Sequence, residues 1–144
     1  MLLKKNLKKQ LINLVKMKLT ENFSLEEFEC KCGCVMPEFV KENIIELAEN
    51  LQVLRDEVGR LDLTNAYRCK AHNADVGGAT NSQHLKGKAA DIKSKTKSPS
   101  EIAEIVNDLM KSERFKMGGV GEYNTFTHVD IRGFKARWSK TTKK

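Results

Sequence analysis

Apolar side chains recur at three- and four-residue steps through Val40, Ile44, Leu47, Leu51, Leu54 and Val58, the spacing of a helix that buries one stripe. Pro37 stands at its start and Gly59 at its end, the residues that best open and close a helix. A second helical pattern, Ile102, Ile105, Val106 and Leu109, follows Ser98-Pro99-Ser100-Glu101. That order supplies a cap, a first-turn proline and a capping-box glutamate, so a helix is expected over about 99–112. Ser24 and Glu27 repeat the S-x-x-E signature, and a short helix anchored by Phe23 and Phe28 is expected there.

Elsewhere the period shortens to two. Leu61 to Tyr67 alternates apolar and polar side chains and reads as a strand, as does the short apolar piece Ala89–Ile92. Phe126 to Arg132 alternates through T-H-V-D-I-R, which puts His128, Asp130 and Arg132 on one face. A final short strand around Ala136–Ser139 carries Trp138. Between these, Cys69 to Ser82 contains Gly77, Gly78 and several asparagines and reads as a long loop, of a length that in compact domains is functional or disordered.

Size and charge narrow the reading. The chain has 144 residues, with 40% hydrophobic and 31% charged, the profile of one soluble globular domain. No apolar run approaches the roughly 18 residues of a membrane span. The net charge of +7 is concentrated at the ends: residues 1–18 hold six lysines and no acid, leaving 20 basic against 19 acidic residues over the rest. The domain is therefore expected over 19–140, flanked by a basic helical extension, 1–18, and a basic tail, 141–144. A near-neutral body argues against nucleic acid as a partner, and a monomer is expected. The lysines interrupt any continuous apolar stretch at the N-terminus, so no signal peptide is expected and synthesis is placed in the cytoplasm.

The chemistry concentrates around two of three histidines. His72 stands alone and reads as structural. His84 sits in Ser82-Gln83-His84-Leu85-Lys86-Gly87-Lys88-Ala89-Ala90-Asp91, a loop histidine, a glycine turn and a carboxylate entering a strand. With His128 this gives two imidazoles and a carboxylate, three ligands that leave open the fourth position a catalytic zinc requires. Cys30, Cys32, Cys34 and Cys69 offer a second reading, a four-thiolate site, although C-x-C-x-C is tighter than the usual C-x-x-C knuckle. Free thiols, or one bridge to Cys69, are the alternatives. Trp138 and Tyr123 are packing groups or line a groove.

Ser82-x-His84-x-x-Gly87-x-Ala89-x-Asp91 with a distant His128-Val129-Asp130 resembles the M15 peptidases, zinc D-alanyl-D-alanine carboxypeptidases and peptidoglycan endopeptidases. Ala66-Tyr67-Arg68-Cys69, Asn73, Gly118-Gly119-Val120-Gly121 and Arg137-Trp138 resemble the short branch of that family found in bacteria and phages. The resemblance spans about residues 19–140. It implies the α+β fold shared with the hedgehog signalling domain, with a small antiparallel sheet and helices packed on one face. It also implies Zn2+ on His84, Asp91 and His128, and substrate binding by Arg68 and Ser82, with Arg68 also stabilising the oxyanion.

Many members carry an acid three residues before the last histidine ligand, where this chain has Thr125. The expected proton acceptor is then Asp130, on the His128 face, or Glu122. Asp130 could instead orient a ligand histidine, and Arg132 is its natural ion-pair partner. The resulting expectation is a zinc metallopeptidase acting on peptidoglycan stem peptides or cross-links, such as a phage endolysin released to the wall. A catalytically inactive, zinc-containing wall-binding module is the alternative.

Overall fold

A computed structural model describes residues 17–142. The helix expected near the N-terminus falls almost wholly outside these residues. At its described end, Lys18 forms a β-bridge with Ser24, and the Leu25 amide donates to the Met17 carbonyl at 2.7 Å.

Both long helices form where the periodicity places them, α1 over Glu38–Val58 and α3 over Pro99–Lys111. Ser98 Oγ accepts from the Glu101 amide, and the Glu101 carboxylate accepts from the Ser98 amide. A 3-10 turn, Leu25–Phe28, follows Ser24, whose amide donates to Glu27 Oε2 at 2.7 Å. The stretch expected as a long loop is partly helical: Lys70–Asp75 forms a short helix, α2. Cys69 caps it by accepting from the His72 amide through sulfur, a cap absent from the usual Ser/Thr/Asp/Asn set.

Five strands make one sheet: β1 Leu61–Asn65, β2 Ala89–Ser94, β3 Gly119–Glu122, β4 Thr127–Asp130 and β5 Ala136–Ser139, in the order β1-β2-β4-β3-β5. The sheet is mixed rather than antiparallel, because β5 runs parallel to β3. The chain leaves β4 through a turn in which the Gly133 amide donates to the Met117 carbonyl, then passes the start of β3 and pairs along its outer edge.

Register sorts the two faces. Ala90, Val129 and Val120 stand opposite one another across three strands and are all buried in the core, where α3 packs on β2, β3 and β4. One residue along, the row Asp91–His128–Gly121–Trp138 points to the opposite face, since successive side chains alternate. The polar row is therefore a by-product of the pattern that buries the valines. Among the described residues, no helix is long and apolar enough to cross a membrane.

Candidate metal centre

His84 is delivered by a 3-10 turn, Gln83–Lys86, rather than by the sheet. Ser82 Oγ accepts from the His84 amide at 3.2 Å and so starts the turn. Gly87 ends it at φ +73°, a left-handed conformation that glycine adopts without a Cβ penalty. Helix α1 supports the turn from behind, with Asn43 Nδ2 donating to the Lys86 carbonyl at 2.8 Å. The Arg68 amide donates to the His84 carbonyl at 3.1 Å, fixing the end of the β1 segment beside it.

Three side chains converge from these elements. His84, Asp91 and His128 are 2%, 5% and 6% exposed, and one ligand atom of each lies within 4.8 Å of the others. Asp91 Oδ1 faces His84 Nε2 at 3.3 Å and His128 Nδ1 at 3.2 Å. The opposite ring nitrogens are committed elsewhere. His84 Nδ1 stands 2.6 Å from the Ala66 carbonyl, and His128 Nε2 stands 2.7 Å from Asp130 Oδ2. A carbonyl accepts and does not donate, so Nδ1 of His84 carries the proton; a carboxylate holds the proton on Nε2 of His128 in the same way.

Once deprotonated on their inward nitrogens, rings in these tautomers aim two bare nitrogens and a carboxylate oxygen at one point. Three electron pairs converging in a buried site repel unless protons or a metal cation lie among them, and two imidazoles with one carboxylate are a common zinc set. Hydrogen bonds on the far nitrogens are the usual means of fixing ligand tautomer and orientation. The residues present thus fit a divalent metal, held by His84 Nε2, Asp91 Oδ1 and His128 Nδ1.

Asp130 is occupied as the partner of His128. It is fully buried, Oδ1 accepts from the Gly119 amide at 2.8 Å and from Arg132 Nε at 2.9 Å, and Oδ2 accepts from Arg132 Nη2 at 2.7 Å as well as from His128. Burial alone would raise its carboxyl, but the bonds from His128, Arg132 and Gly119 outweigh burial and hold it well below the usual carboxylate range. Asp91 behaves likewise: burial pushes it up and the two histidines hold it far lower. For His128, burial lowers the ring and the paired carboxylates raise it, with a net upward shift.

The centre opens into a cleft of about 630 Å³, whose walls include Arg68, Ser82, Tyr123, Arg132, Trp138 and Lys140. Arg68 and Ser82 line the same cleft as His84, Asp91 and His128. Glu122 does not. It pairs one residue beyond Gly121, on the opposite face, and lines a separate cleft with Glu104 and Asn107 of α3. Thr125 also lies away, beside Pro99 and Ile102. Among the described residues lining the main cleft, Asp91 is the sole carboxylate.

The chain matches the family model described as Peptidase M15 over residues 21–130, which includes the three converging residues and Asp130. The chain belongs to the peptidase M15 family. A comparison with curated proteins finds no match. The family match stops short of Trp138, whose ring centroid lies 4.9 Å from that of His128 and whose Nε1 donates to Tyr123 Oη at 3.0 Å.

Some of this M15 site escapes sequence reading. Asn65 lines the cleft, with Nδ2 3.5 Å from Asp91 Oδ2, because β1 changes register between Leu63 and Asn65. The Ala66 carbonyl is a backbone atom with no side-chain signature. Gly121 has one, within the glycine run: a Cβ there would run into the Trp138 ring, so the indole can cover the centre only over a glycine.

Proposed function

We propose that this M15 family member is a zinc-dependent peptidase that cleaves a peptide bond in peptidoglycan stem peptides or cross-links. The observation that carries the reading is the convergence of His84 Nε2, Asp91 Oδ1 and His128 Nδ1 at the floor of an open cleft, with both far ring nitrogens already bonded. A bound zinc ion supplies Lewis acidity and brings the pKa of its water towards about 7.

The chain's own residues do the rest. Ala66 and Asp130 hold the two rings in the tautomers that leave the inward nitrogens free. Arg68 borders the cleft with its Nε buried and without a partner among the described residues, so donor capacity is left for a substrate carboxylate or a developing oxyanion. Arg68 and Lys140, with one carboxylate in the lining, favour an anionic peptide. Peptidoglycan stems, rich in free carboxylates, are such peptides.

One observation favours a second reading. Asp130 has its acceptors filled and Glu122 faces away, so among the described residues lining the cleft no carboxylate distinct from the three converging side chains is free to accept a proton. A metal-holding wall-binding module needs none. Digestion of purified peptidoglycan by the zinc-loaded protein, read by mass spectrometry, separates the two. New muropeptide ends, abolished in His84→Ala, support the peptidase. Intact muropeptides, with zinc bound and walls retained, support the module.

A further inference from the structure

Outside the centre just described, the densest group of metal-binding side chains gathers around Cys69, one residue past Arg68. Cys30, Cys32, Cys34 and Cys69 all place sulfur within 4.8 Å of one another, although Cys69 is 35 residues from its nearest companion. The Sγ atoms of Cys30 and Cys32 are 3.2 Å apart, those of Cys32 and Cys69 3.4 Å, and those of Cys30 and Cys69 3.8 Å. None is in a disulfide. Four sulfurs about 2.3 Å from a tetrahedral zinc ion stand roughly 3.8 Å from each other, so the cluster already has the dimensions of a thiolate cage.

The backbone is folded to make that cage. C-x-C-x-C is too short to wrap an ion as an extended chain, because three sulfurs would be strung along one edge. Here the Gly33 amide donates to the Cys30 carbonyl at 3.0 Å and Gly33 takes φ +78°, turning the chain back on itself. Backbone amides also point at the sulfurs: the Cys69 amide donates to Cys30 Sγ and the His72 amide to Cys69 Sγ, each at 3.4 Å. Such donors stabilise thiolate charge around a bound metal. Four neutral thiols gain little from this crowding, whereas four thiolates around a divalent cation account for all of it.

We propose that Cys30, Cys32, Cys34 and Cys69 form a second, structural metal site that holds zinc through four thiolates. Loading it releases one proton from each thiol and leaves a complex of net charge −2, beside Lys31 and Lys70 in the sequence. Soft thiolate ligands select zinc over magnesium or calcium, and four protein ligands leave no position for water, so the site is closed and not catalytic. Its effect is to clip residues 30–34 to Cys69, next to Arg68. The neighbouring bond from the Tyr67 amide to the Phe28 carbonyl, at 3.0 Å, ties the same two segments together. The ion therefore secures the segment that brings the Ala66 carbonyl and Arg68 to the other centre. This inference does not depend on the peptidase reading.

The test is titration of the reduced, metal-free full chain with Co2+, followed by displacement with Zn2+. The site predicts two ions per chain and an intense thiolate-to-cobalt charge-transfer band in the near ultraviolet. A His84→Ala/His128→Ala variant keeps the band and drops to one ion. A Cys32→Ser/Cys34→Ser variant loses the band and keeps the other ion. If that variant does not fold, thiol counting on the wild type replaces it: zinc shields all four thiols from a disulfide reagent, and a chelator exposes them. The proposal is overturned if the wild type shows no thiolate band, if its thiols react equally with and without zinc, or if it binds one ion that the histidine variant abolishes. Loss of hydrolysis in the histidine variant, with the thiolate band intact, leaves this site standing whatever becomes of the other.

Discussion

Asp130 Oδ2 accepts from His128 Nε2 at 2.7 Å while Arg132 grips the same carboxylate through Nε and Nη2. The three residues alternate along one stretch of chain, His128 and Asp130 in β4 and Arg132 just beyond it. The arrangement suits a positioning role: the Asp130 carboxylate accepts from His128 Nε2 while Nδ1 faces Asp91, and the arginine keeps the carboxylate ionised.

Replacing Asp130 by Asn tests that role. The amide offers one acceptor oxygen where the carboxylate serves the Gly119 amide, Arg132 and His128 together. Zinc affinity is expected to fall about 10- to 100-fold, measured by competition with a chromophoric chelator. Stability is expected to drop by about 3–5 kcal/mol through the broken buried pair. Unchanged zinc affinity would mean that His128 needs no such partner.

Arg68 is expected to act on substrate rather than on metal. Arg68→Ala should leave zinc affinity within about twofold, since it is not a ligand, and lower kcat/KM by about 10²–10³. Arg68→Lys should recover little, because an ammonium cannot present a planar fork. A lysine variant with near wild-type turnover would reduce the role to bare charge.

The chain's single tryptophan reports on the cleft directly. Gly121→Ala puts a methyl group where the Trp138 ring lies, so the indole must shift. Overpacking of this kind costs about 1–3 kcal/mol. Its emission should move to longer wavelength and hydrolysis should fall. An unchanged spectrum would show that the ring does not rest on Gly121.

The cap of α3 gives a pH signature. Glu101 is held below the usual carboxylate range, chiefly by its bond from the Ser98 amide. Because the folded value is the lower one, the stabilisation is complete above the unfolded value, about 4.3, and is lost as pH falls through the folded value. Glu101→Gln should therefore lower Tm at neutral pH, and the gap from wild type should close as pH drops below about 4. A gap that persists in acid would assign it to something other than the charge.

Much of this was open to reading from the chain alone, for identifiable reasons. The helices announce themselves because Val40 to Val58 and Ile102 to Leu109 bury one stripe each, and both helices form there. His84, Asp91 and His128 stand out because so few residue types ligate metals, and the fold brings them together. What stayed hidden depends on register and backbone. Alternation places Asp130 beside His128 but cannot show how many donors it serves. Glu122 looks equally near in sequence, yet its pairing one residue past Gly121 sends it to the α3 side. The parallel β5 follows from a turn whose path no periodicity encodes, and the Cys69 cap hid a helix inside an apparent loop.

Two fixed tautomers and one carboxylate are proposed to hold a metal at the floor of the cleft. Anomalous diffraction from crystals of the zinc-loaded protein, collected across the zinc edge, tests this most directly. The account predicts a peak bonded to His84 Nε2, Asp91 Oδ1 and His128 Nδ1 at about 2.0–2.2 Å, with Ala66 and Asp130 still on the far nitrogens. A zinc-loaded crystal with no peak there, or with His128 turned to bind through Nε2, would contradict it.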